Sequence, residues 1–290
     1  MIQKNKAFVQ QRQVNQLMTE ILFDDLWPTH QNAAMNVSSL NDIESAAFDR
    51  DGYVVVRNLV STQRCDELRV IAADHLRQLI APIEFEVDVH YPGAPLNASS
   101  PGADTSRRLL QAFARDEAFR LWALDPEVKR ILAGLFQTDE DLAVSQCHHN
   151  CVMTKAPGFS SVTLWHQDNR YWAFDHENLV SVWLALGKED KDNGCLRVIP
   201  GSHKLDLDSG KFDAAMFLRP DLPENKLLIK QAITVELNPG DVLFFHSRLF
   251  HAAGRNLSDT TKLSVVFTYH EASNKPIRDT RSARFPSIIL

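Results

Sequence analysis

The sequence predicts a mainly β protein, an antiparallel sandwich or barrel with α-helices on its N-terminal flank. From about residue 140 onward, short runs rich in β-branched and aromatic residues replace helical spacing: LAVSQCHHNCVM, SSVTLWHQ, LVSVWLALG, CLRVIP, AITVEL, VLFFHSRLFH and KLSVVFTYH. Turn signals separate these runs, namely KAPG, KDNG, PGSH and NPGD, and the last sets Pro-Gly where a type II turn requires it. No helical pattern alternates with the runs, which is the signature of sheet packed on sheet rather than of a parallel α/β sheet.

The elements follow in order. Residues 1–40 are rich in Gln and Asn and read as an N-terminal extension, with one apolar patch, ILFDDLW, suited to a short helix packed on the body. Residues 41–290 read as a single domain. In FDRDGYVVVRNLV a turn at Asp51-Gly52 precedes a strand. Ser61 or Thr62 then caps a helix over about 61–81, in which Leu68, Ile71, Ala72, His75, Leu76 and Leu79 recur at helical spacing until Pro82 stops it. A second helical stretch covers about 116–135, restarted by Asp125 as N-cap and Pro126 as first helical residue.

A chain of 290 residues buries a sizeable core, and 44% hydrophobic with 23% charged residues is an ordinary balance for a globular protein. No run of roughly 18 apolar residues marks a membrane span. A net charge of −6 without a basic stripe excludes a nucleic-acid partner held through phosphates, leaving a small molecule as the expected partner. The N-terminus lacks the apolar region of a secretory leader, FPSIIL is not a peroxisomal tail, and Cys65, Cys147, Cys151 and Cys195 read as reduced thiols. These features make cytoplasm the expected compartment.

The chemistry concentrates in TLWHQDNRYW, residues 163–172. Residues i and i+2 of a strand share a face with Cα atoms about 7 Å apart, so His166 and Asp168 can converge on one metal ion. The third ligand must come from elsewhere, and FFHSRLFH offers His246 and His251. His251 ends a strand and is followed by small residues, which leaves its imidazole unobstructed. Spaced by an odd number of residues, the two histidines would lie on opposite faces of a regular strand, so only one serves. Two imidazoles and a carboxylate on one side of an ion form the facial triad of non-haem Fe(II) oxygenases. In CHHNC, by contrast, Cys147 and Cys151 would stand about 13 Å apart on an extended strand, too far to share a zinc ion. That run is better suited to lining a substrate cavity. No phosphate-binding glycine loop, nucleophile elbow or HExxH occurs, which removes the commonest NTPase, hydrolase and zinc-protease readings.

Taken in order, DRDGYVVVRNLVSTQRCDELR, WHQDNRYW, SVWLAL, DNGCLRVIPGSHK and PGDVLFFHSRLFHAAGRNLSD make the sequence resemble the phytanoyl-CoA dioxygenase family of Fe(II)- and 2-oxoglutarate-dependent oxygenases, over roughly residues 48–270. The resemblance implies a double-stranded β-helix, the cupin-like jelly roll. It also implies iron held by His166, Asp168 and His251, with His246 as structural filler, and Trp183 along the cosubstrate pocket. The implied reaction uses O2 and 2-oxoglutarate to hydroxylate an unactivated carbon of a small molecule, releasing succinate and CO2. The family usually carries an arginine about eleven residues past the distal histidine, where this chain has Lys262; a lysine supplies the charge without the bidentate fork. Arg255 is the rival cation, placed on a turn in solvent, and Lys155, in TKAPGF, is a further candidate to orient cosubstrate or substrate. The alternatives left open are an oxygen-independent metal-dependent isomerase or hydrolase on the same scaffold and a non-catalytic binding protein.

Overall fold

In a computed structural model the described residues are 35–36 and 42–290. The proposed N-terminal extension, including the ILFDDLW helix, lies outside them but for one short strand. The strands are β1 (Met35–Asn36), β2 (Tyr53–Arg57), β3 (Ile83–Phe85), β4 (Ser106–Leu110), β5 (Leu142–Val144), β6 (Asn150–Lys155), β7 (Thr163–His166), β8 (Val180–Ala185), β9 (Leu196–Val198), β10 (Ile233–Thr234), β11 (Val242–His246), β12 (His251–Ala253), β13 (Lys262–Glu271) and β14 (Ile288–Ile289). The large sheet runs β1-β2-β11-β8-β13-β6-β4-β3, with β5 joined to β13 and β14 to β5; the small sheet runs β10-β9-β12-β7. Apart from the parallel β1–β2 pair, the ladders are antiparallel. This two-sheet jelly roll is the fold class expected from the sequence.

Strand parity explains why the central runs are apolar throughout. On β8, Val182 and Leu184 face a core shared with helices, whereas Trp183 and Ala185 face the small sheet. Val265 and Phe267 on β13 make the same split against Val266, as do Val242 and Phe244 on β11 against Leu243 and Phe245. A sheet covered on both faces needs apolar residues at consecutive positions, which is why SVWLAL and VLFF do not alternate with polar residues.

The helical cover comes mainly from Thr62–Arg77, Glu117–Ala123 and Pro126–Phe136. Ser61 caps the first, its hydroxyl accepting from the Arg64 N–H at 3.3 Å, and Cys65, Leu68 and Ala72 are fully buried at helical spacing. This helix ends at Arg77, four residues short of the sequence expectation. The stretch expected over 116–135 is two helices, and Asp125 caps the second by accepting from the Glu127 N–H at 2.8 Å, with Pro126 leading it. Three further helices, Asp42–Asp51, Ala112–Arg115 and Pro223–Ile229, were not evident in the sequence. Among the described residues, no helix is long and apolar enough to cross a membrane.

At the NPGD turn the Asp241 N–H bonds the Asn238 carbonyl at 3.0 Å, and Gly240 sits at φ +89°. A Cβ there would lie 2.2 Å from the Val60 carbonyl oxygen. Gly240→Ala is therefore expected to lose at least ~1 kcal/mol of stability in urea denaturation, through the positive φ and the clash together.

Candidate active site

β7 and β12 lie side by side in the small sheet, and the register sets His166 directly opposite His251. Their rings come within 4.2 Å of each other, centroid to centroid. Asp168 is not on the strand, as the sequence reading had it, but opens a 3-10 turn, Asp168–Tyr171. Gln167 between them keeps extended backbone angles, so the carboxylate still returns to the face of His166. The Asp168 N–H bonds the Ser247 carbonyl at 2.9 Å, which fastens this turn beside the approach to β12.

The three side chains are buried, and their donor atoms lie within 4.8 Å of one another. Asp168 Oδ1 is 3.8 Å from His166 Nε2 and 3.6 Å from His251 Nε2. Each imidazole has its other nitrogen against a backbone carbonyl: His166 Nδ1 at 2.8 Å from Leu164 O and His251 Nδ1 at 3.0 Å from Leu249 O. A carbonyl only accepts, so Nδ1 carries the proton and the Nε2 lone pair points to the common centre. Burial, followed by the neighbouring His251, holds the His166 pKa well below the usual imidazole range, favouring the neutral form that binds metal. Among the described residues, this is the one cluster of three or more His, Cys, Asp or Glu side chains able to hold a metal ion.

The second carboxylate oxygen has partners that the sequence did not disclose. Asp168 Oδ2 lies 3.4 Å from the Ser181 hydroxyl and 3.5 Å from His149 Nδ1. Ser181 and His149 are themselves 3.2 Å apart. Burial pushes the His149 pKa down to about 4, so at neutral pH it acts as an uncharged hydrogen-bonding group. His149→Ala is expected to weaken iron binding about 10- to 100-fold, as loss of a group orienting a metal ligand does, with little change in melting temperature. Iron titration checks this.

His246 ends β11 in the large sheet, whereas His251 begins β12 in the small one. The chain turns between the sheets here, so the parity of a regular strand does not apply, although the two histidines still part company. His246 Nδ1 accepts from the Arg248 N–H at 3.0 Å, and its ring packs on His203.

Lys262 and Lys155 face each other across the β13–β6 ladder. Both are buried. Lys155 Nζ donates to the Ser161 carbonyl at 2.9 Å, and burial, with Arg107 and Lys262 nearby, drives its pKa well below the usual range. Lys262 Nζ lies 3.0 Å from Glu189 Oε2, while Glu189 Oε1 accepts from Trp183 Nε1 at 3.0 Å and from the Ser264 hydroxyl at 2.5 Å. The sequence does not disclose Glu189, because nothing in GKEDKDNG singles out one buried carboxylate among its neighbouring charges. Trp183 sits between the sheets with Lys262 Nζ 5.0 Å from its ring. Arg255 is half-buried rather than in solvent: a Cβ on Gly93 would come within 1.9 Å of its guanidinium.

A cavity of about 390 Å³ opens over His166 and Asp168. Its walls include Arg108, His148, His149, Trp172, Arg281 and Arg284. Residues 146–149 bend before β6 begins, and both faces of the CHHNC run reach this cavity.

The family model for phytanoyl-CoA dioxygenase (PhyH) matches residues 48–264. Phytanoyl-CoA dioxygenase 1 of Oryza sativa subsp. japonica is 26% identical over 250 residues, spanning 77% of this chain and 86% of its own. The ectoine dioxygenase of Sphingopyxis alaskensis is 23% identical over 260 residues, covering 83% of this chain and 79% of its own length. Among solved structures, EctD from S. alaskensis superposes with a TM-score of 0.68 at 18% identity over 90% of this chain and 89% of that one. The 2-oxoglutarate-dependent carbocyclase SnoK from nogalamycin biosynthesis does so at 0.67 and 19% identity, over 88% and 94%.

Proposed function

Because the chain belongs to the phytanoyl-CoA dioxygenase family, and is thus a dioxygenase of the kind that uses Fe(II), 2-oxoglutarate and O2, we propose that it hydroxylates an unactivated carbon of a small molecule at a centre made by His166, Asp168 and His251. The convergence of two Nε2 atoms and one carboxylate oxygen within 4.8 Å carries this reading. The donor set fits iron: two neutral imidazoles and a carboxylate on one side leave the opposite positions of an octahedral ion open. The chemistry supplied by bound iron with its cosubstrates is decarboxylation of 2-oxoglutarate to succinate and CO2, coupled to oxidation of the substrate.

The remaining residues position and select. Leu164 and Leu249 fix the imidazoles through their carbonyls, while Ser181 and His149 hold Asp168. At the other end of β7, Thr163 lies three residues from His166, about 10 Å along the strand. Around that end gather Arg107, whose guanidinium is 3.4 Å from the Thr163 hydroxyl, together with Lys155 and Lys262. Glu84, Glu86 and Glu189 face this group, and its guanidinium and amine N–H donors supply hydrogen bonds for the far carboxylate of 2-oxoglutarate. In this reading Lys262 and Lys155 anchor the cosubstrate and Trp183 holds Glu189 in place below it.

Anaerobic protein given Fe(II) and then 2-oxoglutarate is expected to develop a weak visible charge-transfer band, and on admission of O2 to form succinate. Metal binding with neither band nor succinate would instead favour an oxygen-independent metal enzyme. Hydroxylation itself is checked by incorporation of one 18O atom from 18O2 into the product; a cyclised or epimerised product without 18O would replace it.

A further inference from the structure

The wall of the cavity opposite β4 and β6 is a strap, residues 281–285, that the sequence left unassigned. It is firmly seated. Ser282, fully buried, accepts from the Ala173 N–H at 2.9 Å and lies 2.7 Å from His148 Nε2. Gln146 Nε2 donates to the Pro286 carbonyl at 2.6 Å, the Phe285 N–H meets Cys147 Sγ at 3.2 Å, and β14 continues the strap as a strand against β5. On either side of the anchoring Ser282 stand Arg281 and Arg284, and both line the cavity.

Neither arginine forms an ion pair with a carboxylate among the described residues. Arg281 acts on His148 and His149 through its charge, which places it within electrostatic reach of the metal centre. From the facing wall Arg108 contributes a third guanidinium; its partner, Glu84, at 3.3 Å, is shared with Arg107 at 3.5 Å. The acidic groups lining the cavity are Glu84 and Asp168, and Asp168 is committed to the metal in the proposed function. The cavity thus presents an unneutralised positive field beside a metal site. Its inner wall, from Gln146 to Asn150, is polar. A long acyl chain laid against this polar wall would cover little apolar surface, so the lining offers such a ligand little hydrophobic stabilisation. At about 390 Å³ the space suits a compact molecule.

We infer that the substrate is a compact polar molecule bearing an anionic group, a carboxylate or a phosphate, gripped by Arg281 and Arg284 of the strap with Arg108 facing them. This rests on the oxygenase reading of the same site, and it separates this chain from the long-chain acyl thioester in its relatives' name. The strap supplies two of the guanidinium groups and β4 the third, so two separate elements of the cavity wall hold the anion beside the metal site.

The full-length protein loaded with Fe(II) and 2-oxoglutarate under anaerobic conditions provides the test. Ligands are N-acetylleucine and benzyl phosphate, their neutral counterparts N-acetylleucinamide and benzyl alcohol, and hexadecanoyl-CoA. Binding is read both from perturbation of the visible band and from tryptophan fluorescence, since Trp172 lines the cavity. At least one anionic ligand is expected to bind tenfold or more tightly than its neutral counterpart, and which of the two does so distinguishes carboxylate from phosphate. The double variant Arg281→Gln/Arg284→Gln should lose that preference while keeping the 2-oxoglutarate band and the wild-type melting temperature. Equal binding of neutral and anionic members, absence of binding by all the small ligands, a preference that survives in the double variant, or selective binding of hexadecanoyl-CoA would each overturn the inference. Failure of the 2-oxoglutarate band to form counts against the oxygenase reading alone, because the fluorescence titration still reports on the anion site.

Discussion

His166→Ala, Asp168→Ala and His251→Ala are each expected to reduce 2-oxoglutarate-dependent succinate formation by more than ~100-fold, beyond the loss that follows removal of a group merely orienting a ligand. None of the three contributes to the apolar clusters that join the sheets and helices, so the circular dichroism spectrum should remain that of the wild type. Iron content after anaerobic loading separates a lost ligand from a lost fold. His246→Ala is the comparison: it removes a ring that packs on His203 and accepts from Arg248 N–H, and should keep its iron. If His246→Ala abolishes iron binding and His251→Ala leaves it intact, the distal ligand has been misassigned.

Lys262→Ala is expected to raise the KM for 2-oxoglutarate at least tenfold while iron affinity changes little. Truncating one partner of a buried, hydrogen-bonded charge pair costs on the order of 2 to 5 kcal/mol. Here two pairings are at stake. The ammonium balances Glu189 within the protein at 3.0 Å, so its removal strands a buried carboxylate and lowers stability as well as cosubstrate affinity. Lys262→Ala combined with Glu189→Gln should recover most of the stability without recovering the KM. That dissociation, measured by thermal melts alongside kinetics, distinguishes an anchor for 2-oxoglutarate from a residue serving only the fold. Arg255→Ala is the control and should alter the KM far less; the reverse pattern would move the anchor to Arg255.

Much of the fold was legible because it is written in local pattern. The apolar runs of β8, β11 and β13 mark strands covered on both faces, and Asp125-Pro126 and Ser61 mark helix starts by capping chemistry alone. The pair His166 and Asp168 was legible through two-residue periodicity, which survived even though Asp168 lies beyond the strand, since Gln167 stays extended. What escaped depends on partners distant in sequence. Glu189 is singled out only by Trp183, Lys262 and Ser264 closing around it, His149 only by the Asp168 carboxylate, and the strap only by its seating on residues 146–148 and Ala173. The helix Asp42–Asp51 buries Phe48 yet is otherwise too polar to show a stripe, so its period is invisible until the core it covers is known.

The face-to-face setting of His166 and His251 also governs when in the life of the chain the metal centre can exist. The two strands that carry them are brought together across a long loop: Gln167, beside one ligand, bonds the carbonyl of Arg248, near the other, over 81 positions. Closing a loop of that length comes late and slowly compared with local helix formation. The unfolded chain therefore offers iron only the short His-x-Asp fragment, and tight capture must wait for the small sheet to close. Iron then acts as a ligand of the finished protein rather than as a nucleus for its folding, contributing about 2.7 kcal/mol when present at a hundred times its dissociation constant. Metal-free protein should accordingly refold at the same rate as loaded protein but unfold more slowly once loaded, a kinetic asymmetry written into the register of two short strands.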